Sequence, residues 1–199
     1  MHLLLLSGFL GSGKTTLILP LSKVVVQLGH RVAIIINEIG EIGIDNQLMR
    51  HLDLNVWELV AGCICCTLSG DLIATLQKLD LDHAPDLVIV EASGTADPKS
   101  ILGALRFYRG RSLSSVRTGS VLDPLRLPIL IEIMTPLITS QIQHADLIIV
   151  SKTDLATSDQ IDFAYRTARK INPIARIVSA AVRGHLEAEL ISELLPWKN

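Results

Sequence analysis

The stretch Gly8-Phe9-Leu10-Gly11-Ser12-Gly13-Lys14-Thr15 directly follows the apolar run Leu3 to Leu6. A strand, a glycine-rich turn and the start of a helix in this order predict a P-loop, whose backbone N–H groups surround phosphate oxygens. Glycines permit this close approach because they lack side-chain bulk. The Lys14 ammonium would supply charge to the outer phosphates, and the Thr15 hydroxyl can ligate Mg²⁺. The motif therefore predicts a nucleotide-binding protein, with phosphate contacts from Gly11, Ser12, Gly13, Lys14, Thr15 and Thr16.

The composition excludes several classes of protein. A length of 199 residues suits one domain, and we expect a single P-loop domain over residues 1–199. A formal net charge of −2 gives no electrostatic basis for binding nucleic acid. Hydrophobic residues make up 49% of the chain, but the apolar runs are only strand-sized, so we expect no membrane span. The N-terminus lacks the basic region and cleavage site of a secretory signal, and we therefore expect a cytoplasmic location.

Strand-sized apolar runs alternate with helical stretches along the chain. This alternation predicts an α/β fold, with a doubly wound, mostly parallel sheet and helices on both faces. The predicted strands are Leu3–Ser7, Arg31–Ile36, Val56–Val60, Leu87–Glu91, Ser115–Leu122, Leu147–Ser151 and Ala175–Ser179. The predicted helices are Lys14–Leu28, Thr67–Leu79, Pro98–Phe107, Leu125–Gln143, Ser158–Ile171 and Leu186–Leu195. Pro20 and Pro128 lie inside two of these helices and predict a kink or a shifted start.

The segment Asp86-Leu87-Val88-Ile89-Val90-Glu91-Ala92-Ser93-Gly94 is an apolar strand that ends in an acid, with a glycine three residues later. P-loop proteins use such a pair to place a carboxylate near Mg²⁺ and a backbone N–H near the terminal phosphate. We therefore expect Glu91 to hold the metal or to position the attacking water, and Gly94 to contact the nucleotide. A solvated acid at the end of a strand is the alternative.

The segment Ser151-Lys152-Thr153-Asp154 looks like the Asn-Lys-x-Asp motif by which G proteins recognise guanine. The Asp154 carboxylate can accept hydrogen bonds from N1–H and the exocyclic amine of guanine, a pair of donors that adenine does not offer there. The aliphatic stem of Lys152 would lie along the base or the loop beneath it. Ser151 replaces the expected Asn and alters one supporting contact. GTP remains favoured over ATP, and the strength of that preference stays open. Ser179 ends a later strand, where G proteins place backbone groups against the base.

All three cysteines of the chain lie within four positions, in Cys63-Ile64-Cys65-Cys66. A clustered, odd set of cysteines in a cytosolic protein favours a thiolate metal site over a disulfide framework. Three sulfur atoms are one ligand short of a closed tetrahedral Zn²⁺ site, so a fourth ligand comes from elsewhere or the position stays open. Buried structural cysteines and a redox switch of neighbouring thiols are the alternatives.

The run Asn37-Glu38-Ile39-Gly40-Glu41-Ile42-Gly43-Ile44-Asp45 follows the strand that ends at Ile36. Its two glycines permit a change of backbone conformation, and G proteins keep the switch that senses the terminal phosphate at this place. Glu38 and Glu41 are therefore candidates for binding Mg²⁺ or a transition metal. We assign Glu38 to catalysis and Glu41 to the transition-metal site, with solvated loop acids as the alternative.

Together these motifs resemble the CobW-type branch of the P-loop metal-handling GTPases, which are related to the nickel GTPases UreG and HypB. The resemblance rests on Gly8–Thr16, Asn37–Asp45, Cys63–Cys66, Glu91–Pro98 and Ser151–Asp154, and it extends through Gln141–Asp146 to Asn172-Pro173. It implies slow hydrolysis of GTP to GDP with Mg²⁺, and delivery or insertion of a transition metal, Zn²⁺ or Co²⁺.

The resemblance also implies that the thiolates of Cys63, Cys65 and Cys66 bind the metal, with an acid of the Glu38 to Glu41 loop nearby. A client metalloprotein or metallocofactor enzyme and a nucleotide-dependent homodimer are the implied partners. Many such proteins carry a second, C-terminal domain, and this sequence is expected to be a short form without it.

Two other functions stay open at the level of sequence. A P-loop kinase of a small metabolite would use the same phosphate loop, with Arg109, Arg111 and Arg117 binding the acceptor, but it would have no use for clustered thiols. A nucleotide-dependent switch could instead dock on a metallocofactor enzyme without carrying metal.

Overall fold

Parallel strands form one sheet in the part of the chain that the structure describes. The structure is a computed structural model that describes residues 1–36, 55–58, 68–181 and 186–197, with the backbone alone at 55–58 and 68–70. The strands are β1 (His2–Ser7), β2 (Val32–Ile36), β3 (Asn55–Glu58), β4 (Leu87–Glu91), β5 (Ser115–Leu122), β6 (Leu147–Val150) and β7 (Arg176–Ser179). Their order is β3-β2-β4-β1-β5-β6-β7, and every neighbouring pair is parallel.

Helices cover both faces of this sheet. They are α1 (Lys14–Gln27), α2 (Leu68–Asp82), α3 (Pro98–Ala104), α4 (Leu127–Ile133), α5 (Thr135–Gln143), α6 (Ser158–Ile171) and α7 (Ala188–Leu194). Successive side chains of a strand point to opposite faces. Leu4 of β1 accordingly packs in a cluster with Leu17 of α1, whereas Leu5 packs in a second cluster with Leu76 of α2. The predicted doubly wound α/β fold is confirmed.

Prolines set the helix boundaries on the β5 side of the sheet. The single helix predicted over Leu125–Gln143 was wrong, because the chain forms α4 and α5 with a break at Met134. Pro136 lies in the first turn of α5, where its missing N–H breaks no hydrogen bond, whereas a continuous helix would have lost one there. Pro128 lies in the first turn of α4, which confirms the predicted shift of that start.

Two other helices differ in detail from the prediction. Helix α1 begins at Lys14 and continues through Pro20, so its start is not shifted. Helix α3 ends at Ala104, and the predicted remainder forms the 3-10 turn Leu105–Phe107. Within the described ranges, none of the helices has both the length and the apolar composition that crossing a membrane requires.

Asn172 fastens the turn that leads from α5 into β6. Its buried side chain donates from Nδ2 to the carbonyls of Ile142 at 2.9 Å, Gln143 at 3.2 Å and Ala145 at 2.9 Å. Its Oδ1 accepts from the backbone N–H of Ala175 at 3.1 Å. Only an amide supplies donors and an acceptor in this arrangement. Asn172 therefore fixes the entry into β6, the strand that carries the segment Ser151–Asp154 at its other end.

We expect Asn172→Ala to lower the free energy of unfolding by about 2–4 kcal/mol, because it leaves buried carbonyls without their donors. Asn172→Asp should cost at least as much at neutral pH, since its carboxylate would face three carbonyl oxygens. Urea denaturation followed by circular dichroism measures both values, with the exposed Gln143→Ala as control. An Asp variant more stable than the Ala variant would contradict this account of the turn.

Candidate nucleotide site

The P-loop joins the end of β1 to the start of α1 at the carboxyl edge of the sheet. Gly8 has φ +141°, and a Cβ there would lie 2.9 Å from Ser12 Oγ and closer still to the carbonyl of Val121. Gly11 and Gly13 have φ +74° and +100°, in the left-handed region that favours glycine. A Cβ on Gly13 would meet no described atom closer than Ser151 Cβ at 4.0 Å. The glycines thus shape the loop while leaving space beside it, which suits a phosphate group.

Lys14, Thr15 and Glu91 meet beneath this loop. Lys14 and Glu91 are 4% and 2% exposed, and Lys14 Nζ lies 3.9 Å from Glu91 Oε1. Lys14 Nζ also donates to the carbonyls of Gly8 at 2.9 Å and Phe9 at 3.4 Å. Thr15 Oγ1 lies 3.0 Å from each oxygen of the Glu91 carboxylate and donates to it. The structure therefore brings together the predicted phosphate-binding cation and the hydroxyl and carboxylate predicted to hold Mg²⁺.

Gly94 lies against the outer part of the P-loop. A Cβ on Gly94 would lie 2.5 Å from the backbone nitrogen of Leu10 and 3.0 Å from its Cα. A side chain at this position would therefore force the two backbones apart. Gly94 follows the end of β4 by three residues, so the loop after Glu91 folds back onto the P-loop.

Ser151 and Lys152 tie the end of β6 to the P-loop. Ser151 Oγ donates to the carbonyls of Ser12 at 2.7 Å and Leu122 at 3.0 Å. Lys152 Nζ donates to the carbonyl of Gly11 at 2.7 Å and to Asp123 Oδ2 at 2.7 Å. The serine that replaces the expected asparagine thus still links this segment to the P-loop.

A cleft beside the P-loop is suitably placed for a nucleotide base. In the described part of the chain it is lined by Gly13, Thr16, Leu17, Pro20, Ser151, Ala180, Ala181 and Leu186. Asp154 is exposed and lies in the turn that follows β6. Ser179 is exposed, and its hydroxyl lies 2.8 Å from Tyr165 Oη. The structure thus brings Ala180 and Ala181, rather than the predicted Ser179, to the cleft.

Two residues at this site were missed by the sequence reasoning. Asp123 directly follows β5 and is 4% exposed, and its carboxylate accepts from Lys152 Nζ. The signal that could have found it is an acid at the end of a strand, the same signal that identified Glu91. Arg126 donates to the carbonyl of Leu10 at 2.8 Å, and its guanidinium lies 5.4 Å from the centre of the Phe9 ring. We find no sequence signal that identifies Arg126 in advance.

The predicted transition-metal ligands lie outside the described residues. These are Cys63, Cys65, Cys66 and Glu41, and the proposed catalytic Glu38 lies outside as well. The chain leaves β2 at Ile36, which is the register partner of Glu91. Among the described residues, no group of three or more histidine, cysteine, aspartate or glutamate side chains could hold a metal ion.

The three arginines of the kinase hypothesis belong to the opposite edge of the sheet. Arg109 and Arg111 precede β5, and Arg117 is the third residue of that strand. Arg111 pairs with Asp80 at 2.5 Å, and Arg117 donates to the carbonyl of Glu193 at the end of α7. Arg109 donates to the carbonyls of Arg106 at 2.9 Å and Tyr108 at 3.1 Å. These contacts argue against a shared acceptor site next to the P-loop.

Comparison with known proteins identifies the family. The model of the CobW/HypB/UreG nucleotide-binding domain matches residues 2–179. A Sinorhizobium protein named zinc chaperone CobW is 32% identical over 83% of this chain and 56% of its own length. The Schizosaccharomyces pombe protein named zinc-regulated GTPase metalloprotein activator 1 is 31% identical over 96% of this chain and 47% of its own length. The chain thus spans about half the length of these relatives.

Solved structures support the same fold. HypB from Archaeoglobus fulgidus superposes with a TM-score of 0.70 at 17% identity, covering 98% of this chain and 88% of that one. A Zn(II)-bound triple mutant of the YjiA GTPase superposes with a TM-score of 0.68 at 24% identity, covering 96% of this chain and 60% of that one. At these identities the likeness shows the fold alone. The family-model match decides the assignment: this chain belongs to the CobW/HypB/UreG family and contains its nucleotide-binding domain.

Proposed function

We propose that this chain binds and hydrolyses GTP and couples the state of the nucleotide to transition-metal binding at Cys63, Cys65 and Cys66. The buried Lys14 and Glu91 side chains, together with the half-buried Thr15, meet at the P-loop and support the nucleotide part of this proposal. Relatives named zinc chaperone and zinc-regulated GTPase metalloprotein activator support the metal part. We further propose that the protein works in the cytoplasm and delivers its metal to a client metalloprotein.

In this proposal GTP is the substrate, and the P-loop positions its phosphates. Lys14 balances the negative charge of the outer phosphates, and the backbone N–H groups from Gly11 to Thr16 hold their oxygens. Thr15 and Glu91 supply the hard oxygen ligands that suit Mg²⁺, and they already lie in contact. When bound, Mg²⁺ neutralises charge that develops on the phosphates. Glu38 is the candidate for positioning the attacking water.

The base would enter the cleft beside Ala180 and Ala181. Asp154 would select guanine by accepting from its N1–H and exocyclic amine, and Lys152 would support the base from the P-loop side. The single proton of the Ser151 hydroxyl is directed to the carbonyls of Ser12 and Leu122, so this side chain joins the P-loop to the end of β5. We propose that selection of guanine rests chiefly on Asp154.

The thiolates of Cys63, Cys65 and Cys66 would bind Zn²⁺ or Co²⁺, with Glu41 as the fourth ligand. Thiolates suit these soft or borderline ions, and a site with an exchangeable ligand allows the metal to be released. Residues 37–54 follow β2 along the chain, and residues 59–67 follow β3. These two strands are neighbours, and their last residues, Ile36 and Glu58, are register partners. Ile36 is in turn the register partner of Glu91. This adjacency supports communication between nucleotide and metal.

We expect Glu91→Gln to lower Mg²⁺-dependent GTP hydrolysis by about a hundredfold, because the amide cannot supply the negative charge for Mg²⁺. Phosphate release with and without Mg²⁺ measures the effect, and thermal unfolding checks the fold. Glu132→Gln changes an exposed acid in the same way and serves as the matched control. Equal hydrolysis by the Glu91 variant and the control would remove Glu91 from the reaction.

Replacing Cys63, Cys65 and Cys66 together by serine should abolish tight Zn²⁺ and Co²⁺ binding while leaving GDP affinity unchanged. Serine keeps the size of the side chain but removes the thiolate that these metals prefer. Anaerobic titration with Co²⁺, followed by thiolate-to-cobalt absorption, measures the loss. Unchanged metal affinity together with unchanged client activation would favour the docking switch that carries no metal.

A further inference from the structure

Gln141 of α5 is a buried polar residue that faces the loop formed by residues 92–97. Its side chain is 0% exposed, and Nε2 lies 3.3 Å from the Gly94 carbonyl and 3.4 Å from the Ala96 carbonyl. Both partners are acceptors, so the amide nitrogen must be the atom that faces them. The other amide atom, Oε1, is buried and has no hydrogen-bond partner among the described residues.

The neighbouring residue of α5 holds the far end of the same loop. Ser140 Oγ donates to Asp97 Oδ1 at 2.6 Å, and Asp97 also accepts from Lys99 N and Ser100 Oγ. Burial raises the pKa of Asp97, but these hydrogen bonds and the nearby His144 outweigh burial and lower the pKa overall. Asp97 is therefore ionised at neutral pH, and Ser140 donates to a charged acceptor. Helix α5 thus contacts the 92–97 loop at Gly94, Ala96 and Asp97.

The P-loop bounds the 92–97 loop on its other side. The loop begins where Ala92 N donates to the Leu6 carbonyl at 2.9 Å, directly after Glu91. Gly94 then meets the Leu10 backbone so closely that no side chain fits between them. Any shift of the loop towards a terminal phosphate must therefore change its contacts with both Leu10 and Gln141.

We propose that Gln141 is a positioning residue that sets the balance between two arrangements of the 92–97 loop, one of which is favoured when the terminal phosphate is bound. This inference rests on the proposed GTPase function. In the observed arrangement Nε2 holds the loop carbonyls, while Oε1 lacks a donor. A buried acceptor without a donor destabilises the state in which it occurs. A loop arrangement that brings a backbone N–H to Oε1 is correspondingly favoured, and binding of the terminal phosphate selects that arrangement.

The test compares affinity for a non-hydrolysable GTP analogue with affinity for GDP. In Gln141→Met the side chain keeps its length but loses both the donor and the unpaired acceptor. The Nε2 contacts of 3.3 and 3.4 Å are longer than usual hydrogen bonds, so the loss of Oε1, which favours the phosphate-selected arrangement, has the larger effect. We expect the analogue-to-GDP affinity ratio to fall by about fivefold or more, with GDP affinity retained. Gln143→Met alters an exposed residue of the same helix and should leave the ratio unchanged. Isothermal titration with Mg²⁺ present gives both affinities.

Ser140→Ala provides a second, smaller change at the other end of the loop and guards against misfolding of the Met variant. It should raise the same ratio, since it removes the 2.6 Å hydrogen bond to Asp97 that holds the loop in the observed arrangement. A purely structural role would lower the thermal stability and weaken both nucleotides equally, and that result overturns the proposal. An unchanged ratio in both variants overturns it as well. Failure of the wild-type chain to bind the GTP analogue would instead reject the proposed function itself.

Discussion

The site depends on the contact of two buried side chains, Lys14 and Glu91, with the half-buried Thr15. A buried carboxylate is costly unless it is paired and hydrogen-bonded, and here Lys14 lies 3.9 Å away while Thr15 donates at 3.0 Å. The group requires β1 and β4 to be neighbours, with Leu6 and Glu91 in register. The chain goes from β1 to β2 and β3 on one side, returns to β4, and then continues to β5 on the other side. The P-loop therefore lies where the strand order reverses, the usual place for a ligand in such a sheet.

A second set of contacts fastens the P-loop to the opposite half of the sheet. Lys152 joins the Gly11 carbonyl to Asp123, and Ser151 joins the Ser12 carbonyl to the end of β5. The residues predicted to read the base thus also shape the loop predicted to hold the phosphates. In this chain the hydroxyl of Ser151 helps to shape the P-loop, which explains how a serine can stand where an asparagine was expected.

Much of this arrangement could be predicted because local pattern and position along a strand determine it. Apolar runs predicted the strands. The roles of the P-loop glycines and of Glu91 could be predicted because these residues lie at or directly after the end of a strand. Contacts made across the fold could not be predicted in this way. Gln141 contacts the carbonyl of Gly94, 47 residues away in sequence. Asp123 is recognised as part of the site only by its contact with Lys152, which lies after the neighbouring strand β6. The break at Met134 was not predicted, because a proline within an apolar helical stretch can either kink one helix or begin a new one, and here Pro136 lies in the first turn of α5.

In the proposed function the bound nucleotide controls the affinity of the chain for metal. The decisive measurement is the affinity of the wild-type chain for Zn²⁺ with a non-hydrolysable GTP analogue and, separately, with GDP. We expect the two affinities to differ by about fivefold or more, and Zn²⁺ to change the ratio of the two nucleotide affinities by the same factor. Equal Zn²⁺ affinities in the two nucleotide states would show that the nucleotide does not control the metal site.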